Sequence, residues 1–488
     1  MPFNFNSTTF GTREERLGSI VGYVGSIRDL AEQSRCGSLR DRGRCFSQSS
    51  SCDAGCVMGY ITHIRDVALI NHAPSGCTAP ASATLTTQTQ LADKRGLPYN
   101  TVILGTDLNE SDTIFGAGAG LRRTILETWE RYRPSAIFVT TSCVSGIIGE
   151  DVDAVIADIA DEVPAPVIPI HCEGFKSKVW ATGFDACDHA ILYGVVKPPR
   201  QKGNFINFKN FNESARKDII EMFNSIGVDT FFLYSNTTIE ELSHISEALA
   251  TVSICGTLCS YLGNGLQEKY GVPYVQTINP LGVTGFEAWF RQIGRIIGKE
   301  SEAEAYIERE RAVYIPKLEA VKQKLKGLRV VLGMGSSFAF QIARVVQELG
   351  MEVAYVTSWH YDSRYDDGNP PPHVQQLAAA SPVDFPVNIA DQQNFELMNI
   401  LNTYKPDLYL GRHGGTSVWA VKQGVPAIFM ADEYMTFGYK RTLSFAYTVL
   451  DRITNRSFEK NLAAHIKTPY TNWLYAQDIG GLYEEAAQ

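Results

Sequence analysis

Short apolar runs alternate with stretches of helical period along most of this chain. VALINHA (67–73), TVILGT (101–106), SAIFVTTS (135–142) and VIPIHCE (167–173) each end in small or polar residues and read as buried strands. Helical stretches follow them: one from near Gly120 through LRRTILETWERY, another from near Gly149 through DVDAVIADIADE. The same alternation resumes with DTFFLYS, the helix IEELSHISEALA, the strand TVSIC, the helix LCSYLGNGLQEKYG and the strand PYVQT. After a charged amphipathic helix at 301–327, LRVVLGMGSSFAFQIARVVQELGMEVAYVTS opens a third unit, with KPDLYLGRHGG and VPAIFM as its later strands. Strand–helix alternation of this kind predicts an α/β protein with parallel sheets.

QKGNFINFKNFNE (201–213) is polar and lacks periodicity, so it predicts a boundary. The expected domains are 1–200, 201–327 and 328–488, each Rossmann-like. Residues 1–50 read as helical or irregular. Ligands of such sheets sit beyond the carboxyl ends of the strands. Cys77, Cys143, Cys255, Gly333, His360 and His413 all stand just after predicted strands.

Composition narrows the chemistry. The net charge is -9 and no Lys/Arg run offers a phosphate track, which argues against a nucleic-acid partner. No run of 18 apolar residues offers a membrane span, and the first residues lack the apolar core of a secretory signal. Ten cysteines in that setting imply a reducing cytoplasm, where metal binding or catalysis outweighs disulfides. GAGAGLRR and LGMGSS are neither G-x-G-x-x-G with a following acid nor a Walker loop, so nucleotide binding is not expected of this chain.

Cys52, Cys77 and Cys143 sit beside glycine or serine, and Cys255 stands in SICGTLC. Small neighbours let the backbone approach a bulky group, and thiolates select iron–sulfur clusters, zinc or copper(I). No C-x-x-C pair occurs, which disfavours a zinc knuckle. Spacing alone leaves open that some are inert core thiols. Three thiolates are too few for an ordinary four-iron cluster, though a partner chain could complete the set.

The ordered motifs resemble the nitrogenase superfamily. CDAGCVMGYITHIRDVALINHAPSGC resembles its first cluster-binding segment, and TTSCVSGIIGEDVDAV its second. CEGF (172–175) matches the α-subunit, and CGTLCSYLGNGLQEKYGVP resembles that subunit's cofactor-cysteine segment. LGMEV (349–353) and KPDL (405–408) follow in the same order. The resemblance implies the nitrogenase component 1 fold. It implies that Cys52, Cys77 and Cys143 bind half of an 8Fe–7S P-type cluster shared with a homologous β-like subunit in an α2β2 heterotetramer. It implies that Cys255 holds a large iron–sulfur–carbide cofactor, and that a homodimeric, ATP-dependent 4Fe–4S reductase protein supplies electrons.

Departures from the family are as telling. Lys440, in MADEYMTFGYK, aligns with the histidine that ligates the distal metal in the molybdenum enzyme. The glutamine and histidine after CEGF fall on Trp180 and Phe184, and two arginines fall on Leu85 and Phe338. With Trp359 these residues imply an apolar pocket suited to a larger, less polar substrate. His360 and His413 are the candidates to replace the distal ligand, and Gly335, Ser336 and Ser337 to approach the cofactor with backbone and hydroxyl donors. Arg412 and Lys440 could instead pair with an anionic group of the cofactor. Trp180, Phe184, His360 and Lys440 are the expected catalytic residues. Within the superfamily the chain looks closest to the methylthio-alkane reductases, which cleave C–S bonds of volatile thioethers such as dimethyl sulfide and 2-(methylthio)ethanol. The alternatives are a scaffold on which the cofactor matures and a tetrapyrrole reductase subunit; chains of the latter lack a cysteine like Cys255.

Overall fold

In a computed structural model, residues 3–42, 52–210, 213–390 and 393–479 are described. Cys45 lies outside them. Thirteen strands among these residues form three sheets. The first sheet is parallel, in the order β3 (Val102–Gly105), β2 (Val67–Asn71), β4 (Ala136–Thr140), β5 (Val167–Ile170). β2 and β4 are buried along their whole length, which explains why they read as unbroken apolar runs. The second sheet is β7 (Asp229–Leu233), β6 (Phe205–Lys209), β8 (Ala250–Ser253), also parallel. The third is β1 (Gly22–Ser26), β11 (Pro386–Ala390), β10 (Glu352–Ser358), β9 (Arg329–Met334), β12 (Leu408–Gly411), β13 (Ala427–Phe429), in which only β1 runs antiparallel.

Three elements differ from the sequence pattern. β1 comes from the stretch that read as helical or irregular, and it closes the edge of the third sheet, more than 300 residues away in the chain. β6 lies inside the polar stretch that read as a boundary, and it is the central strand of the second sheet. Its polar residues are buried by pairing: the Asn207 amide donates to the carbonyl of Ile245 at 2.8 Å, and Lys209 forms an ion pair with Asp188. PYVQT contributes only the isolated bridge Thr251↔Tyr274.

The helix Thr182–Gly194 lies between the sheets, and every residue from Thr182 to Leu192 is buried. A β-carbon on Gly183 would fall 2.3 Å from the carbonyl oxygen of Asp53 and 2.7 Å from Cβ of Cys56. Only glycine lets this helix seat against the helix Asp53–Ile61. Further along, Asp188 accepts from Lys209 and lies 3.3 Å from the hydroxyls of both Tyr60 and Tyr234. Those two rings stack at 4.2 Å beside the Lys209 ammonium. Both charged groups are at most 1% exposed.

Removing one partner of a buried pair strands the other charge. Lys209→Met is therefore expected to cost about 3–5 kcal/mol in denaturant unfolding, and the double change with Asp188→Leu to recover most of it. His63 is buried, with Nδ1 2.9 Å from the carbonyl of Gly59 and Nε2 3.0 Å from the amide of Gln88. Burial pushes its pKa down from 6.5 to about 4. The unfolded chain then binds the extra proton, so this stability is present above pH 6.5 and lost as pH falls towards 4. Melting temperature should drop across that window, with about 2–3 kcal/mol attributable to His63, and His63→Gln should flatten the slope.

Candidate functional site

Two groups of thiols stand where strands hand over to helices. Cys52 is the residue before the helix Asp53–Ile61, Cys77 lies in the short helix Ser75–Thr78 after β2, and Cys143 opens the helix Cys143–Ile147 after β4. Hydrogen bonds lace these loops together. The Ser142 hydroxyl donates to the carbonyl of His72 at 2.8 Å, tying the Cys143 turn to the loop before Cys77. The Cys172 amide donates to the Thr141 hydroxyl at 2.9 Å, bringing the CEGF loop alongside. A β-carbon on Gly174 would lie 3.1 Å from Cβ of Cys52 and 3.6 Å from the sulfurs of both Cys52 and Cys143. Burial raises the pKa of the Cys77 thiol, with smaller contributions from the nearby Cys52 and Cys143. All three thiols are exposed, and the exposed apolar side chains Ile147 and Phe175 belong to the same two loops. Asp53 is buried beside Cys52. Its carboxyl is pushed up to about 9 by burial and by Glu14, Asp185 and Glu173, so it stays neutral there.

The remaining cysteines among the described residues are accounted for. Cys56 is buried at the crossing with Gly183, and Cys172 is buried with its thiol 3.5 Å from the carbonyl of Thr141. Cys187 and Cys259 are buried. Cys36 is exposed and donates to Glu32. Among the described residues no three His, Cys, Asp or Glu side chains could hold one metal ion.

The second site is a cavity of about 160 Å³, lined by Trp180, Phe184, Cys255, Phe338, Trp359, His360 and six further residues that come from the segments around all three sheets. Cys255 precedes the helix Gly256–Tyr270. Its amide donates to the Ser253 hydroxyl at 2.9 Å, and that hydroxyl donates to the carbonyl of Lys209 at 2.7 Å. From the third domain, Ser337 accepts from the Gly256 amide at 2.9 Å and is itself held by the Asn279 amide at 2.7–3.0 Å. Burial and then the Glu433 carboxylate push the Cys255 thiol up, against a hydrogen bond from Ser337 and the charge of Arg412. Iron would displace the proton that burial otherwise favours.

Aromatic rings form the wall. Trp180 meets Phe184 edge-on at 5.4 Å, Trp359 at 6.3 Å and His360 at 6.5 Å. A β-carbon on Gly335 would lie 3.3 Å from the Trp359 ring, so this position must be small. His360 is 1% exposed, and neither ring nitrogen has a hydrogen-bond partner among the described residues. Burial pushes its pKa down to about 4, leaving the neutral imidazole that metals bind. Arg412 stacks on Phe338 at 4.3 Å and pairs with Glu433, and both line the cavity.

Other expected residues lie elsewhere. His413 stands edge-on to Trp359 at 4.1 Å and is absent from the cavity lining. Of the expected serines, Ser337 lines this cavity, while Ser336 lines a neighbouring small one. Leu85 does not line the cavity. Lys440 is exposed, lies 3.5 Å from Asp218 and lines a separate cleft with Tyr306 and Arg309, so it faces away from Cys255. The turn at Gly438, with φ of +61°, sets this orientation at the start of the helix Gly438–Thr454. Lys440, expected as a catalytic residue, therefore does not line the cavity at Cys255. Glu433 escaped the sequence reading, although it lies four residues beyond β13, on the side of the sheet where ligands bind.

Three open, mainly parallel sheets, two of them with thiols just beyond their strand ends, define an α/β protein. The chain belongs to the nitrogenase component 1 type oxidoreductase family, whose model matches residues 52–454. It is 28% identical over 392 residues to the nitrogenase molybdenum-iron protein alpha chain of Methanococcus maripaludis, covering 77% of this chain and 78% of that one. It is 26% identical over 411 residues to the nitrogenase iron-molybdenum cofactor biosynthesis protein NifE of the same species, covering 82% of each. The solved structure of nitrogenase Cp1 at pH 5 superposes with a TM-score of 0.70 at 19% identity, over 91% of this chain and all of that one, and so shares the fold. Among the described residues no helix is long and apolar enough to cross a membrane. The family carries P-cluster and cofactor iron–sulfur centres, and the exposed thiol trio, the Gly174 cradle and the unpartnered His360 fit such groups.

Gly174→Ala would place a methyl group 3.1 Å from Cβ of Cys52 and in van der Waals contact with the sulfurs of Cys52 and Cys143, filling the space between them. Iron at the first site should fall severalfold while iron at the Cys255 site is retained, as read by metal analysis and electron paramagnetic resonance of the anaerobically purified protein.

Proposed function

We propose that this chain is the α-type subunit of a nitrogenase-like reductase that cleaves C–S bonds of methylthio-alkanes. Its partners would be a homologous β-like subunit, which completes a P-type cluster over Cys52, Cys77 and Cys143, and an ATP-dependent iron–sulfur reductase protein. Homologues of this family form heterotetramers with β subunits and work with a reductase component. The observation that carries the reading is the wall of the Cys255 cavity, where Trp180, Phe184, Phe338 and Trp359 surround the thiol.

When bound at Cys255, the cofactor supplies low-potential electrons and iron centres. This chain's residues do the rest. Cys255 anchors, with Ser337 fixing the loop on which it sits. Trp180, Phe184 and Trp359 present apolar surface that favours a thioether over a small polar substrate and excludes water. Phe184 cannot carry a proton, which leaves His360 as the nearest imidazole for holding one or for ligation. The overall change is balanced: dimethyl sulfide, two electrons and two protons give methane and methanethiol. 2-(Methylthio)ethanol gives ethylene, water and methanethiol with the same two electrons and two protons.

The likeness to NifE supports a second reading, a scaffold that hands its cluster on. The assembled complex with its reductase and ATP should form methane or ethylene over many turnovers without losing cluster iron, and Cys255→Ala should abolish both the product and the second cluster's iron. Absence of C–S cleavage, with release of iron to an acceptor protein, would establish the scaffold instead.

A further inference from the structure

Glu433 is buried on the cavity wall, 7% exposed. One carboxylate oxygen takes the Arg412 guanidinium. The other, Oε2, is buried and has no hydrogen-bond partner among the described residues. Arg412 itself is committed to this pair and to the face of Phe338. A buried carboxylate oxygen without a donor or a cation is costly, so the cavity's occupant must satisfy it. Its carboxylate is near enough to Cys255 for its charge to act on that thiol.

An iron–sulfur group cannot do this through its sulfides. They carry negative charge and no proton, and would repel a carboxylate in a low-dielectric cavity. Iron can, as a positive centre that accepts a hard oxygen ligand. The aromatic residues on the rest of the wall offer Glu433 no donor: the Trp180 ring nitrogen is also unpartnered and buried, but it stands with His360.

We propose that Glu433 is a second protein ligand of the cofactor, bonding to iron through Oε2 while Arg412 holds the carboxylate in place. The donors on the cavity wall would then be a thiolate, a carboxylate and, at His360, an imidazole. This rests on the reading that a cluster is seated at Cys255. Lys440, which the sequence places at the family's distal histidine, lines a separate cleft and pairs with Asp218.

The test uses the whole complex, purified anaerobically, with iron and sulfide analysis and electron paramagnetic resonance or Mössbauer spectroscopy. Glu433→Gln keeps the shape but weakens the oxygen as a ligand. It should lower iron at the Cys255 site at least twofold or shift that cluster's spectrum, with the first cluster's signal unchanged as the control for folding. Glu433→Asp keeps the charge beside Arg412 and draws the oxygen back by one methylene, and should retain the iron with a shifted spectrum. Wild-type iron content and an unshifted spectrum in both variants would overturn the inference. If Cys255→Ala holds as much iron as wild type, no cluster sits there, and the underlying reading falls together with this one. Loss of iron in Cys255→Ala alone overturns the role of Glu433 and leaves the cluster in place.

Discussion

The seating of the helix Thr182–Gly194 against the helix Asp53–Ile61 is the constraint on which both thiol sites depend. At Gly183 the contact is backbone to backbone, with no room for a β-carbon. The neighbouring residue, Phe184, lines the Cys255 cavity, while the helix on the other side of the contact begins at Cys52. A shift of this crossing would move one site relative to the other. Close-packed interiors transmit such strain rather than absorb it.

Buried charge reinforces the same helix. Asp185 takes guanidinium groups from Arg13 and Arg16 at 3.0 and 2.9 Å, and those arginines reach on to Asp362 and Asp366 in the third domain. Asp188, one turn along, holds Lys209 of the second sheet. Carboxylates on one helix thus reach the N-terminal segment and the second sheet, and through the two arginines the segment after β10. Burying ions this deeply is costly, and wrong packings would leave them unpaired, so the pairs discriminate against misdocked domains. The cavity between the domains inherits that rigidity, which a site for a large, precisely held group requires.

Much of the chemistry was legible in the chain. The thiols at 52, 77, 143 and 255 were visible because each follows a strand or opens a helix, and because small neighbours mark close backbone approach. Trp180, Phe184, Phe338, Trp359 and His360 were expected in one pocket from the resemblance to the nitrogenase superfamily, and all five line one cavity. β6 was hidden because Asn207 and Lys209 look like solvent-facing residues until Ile245 and Asp188 are brought to them. β1 was hidden because its partner strand lies at 386–390.

The sequence by itself determined the α/β class, the parallel sheets and the positions of the thiols. Those features follow from local period, apolar runs and turn residues, which are written within a dozen residues of one another. Only the tertiary structure decided which of the candidate polar groups line the cavity: Arg412 and not Lys440, Ser337 and not Ser336, and Glu433, which the sequence did not single out. One residue along a helix start turns a side chain by about a quarter of a turn. The face that ends up inward is then set by contacts with elements hundreds of residues away, which no local pattern records.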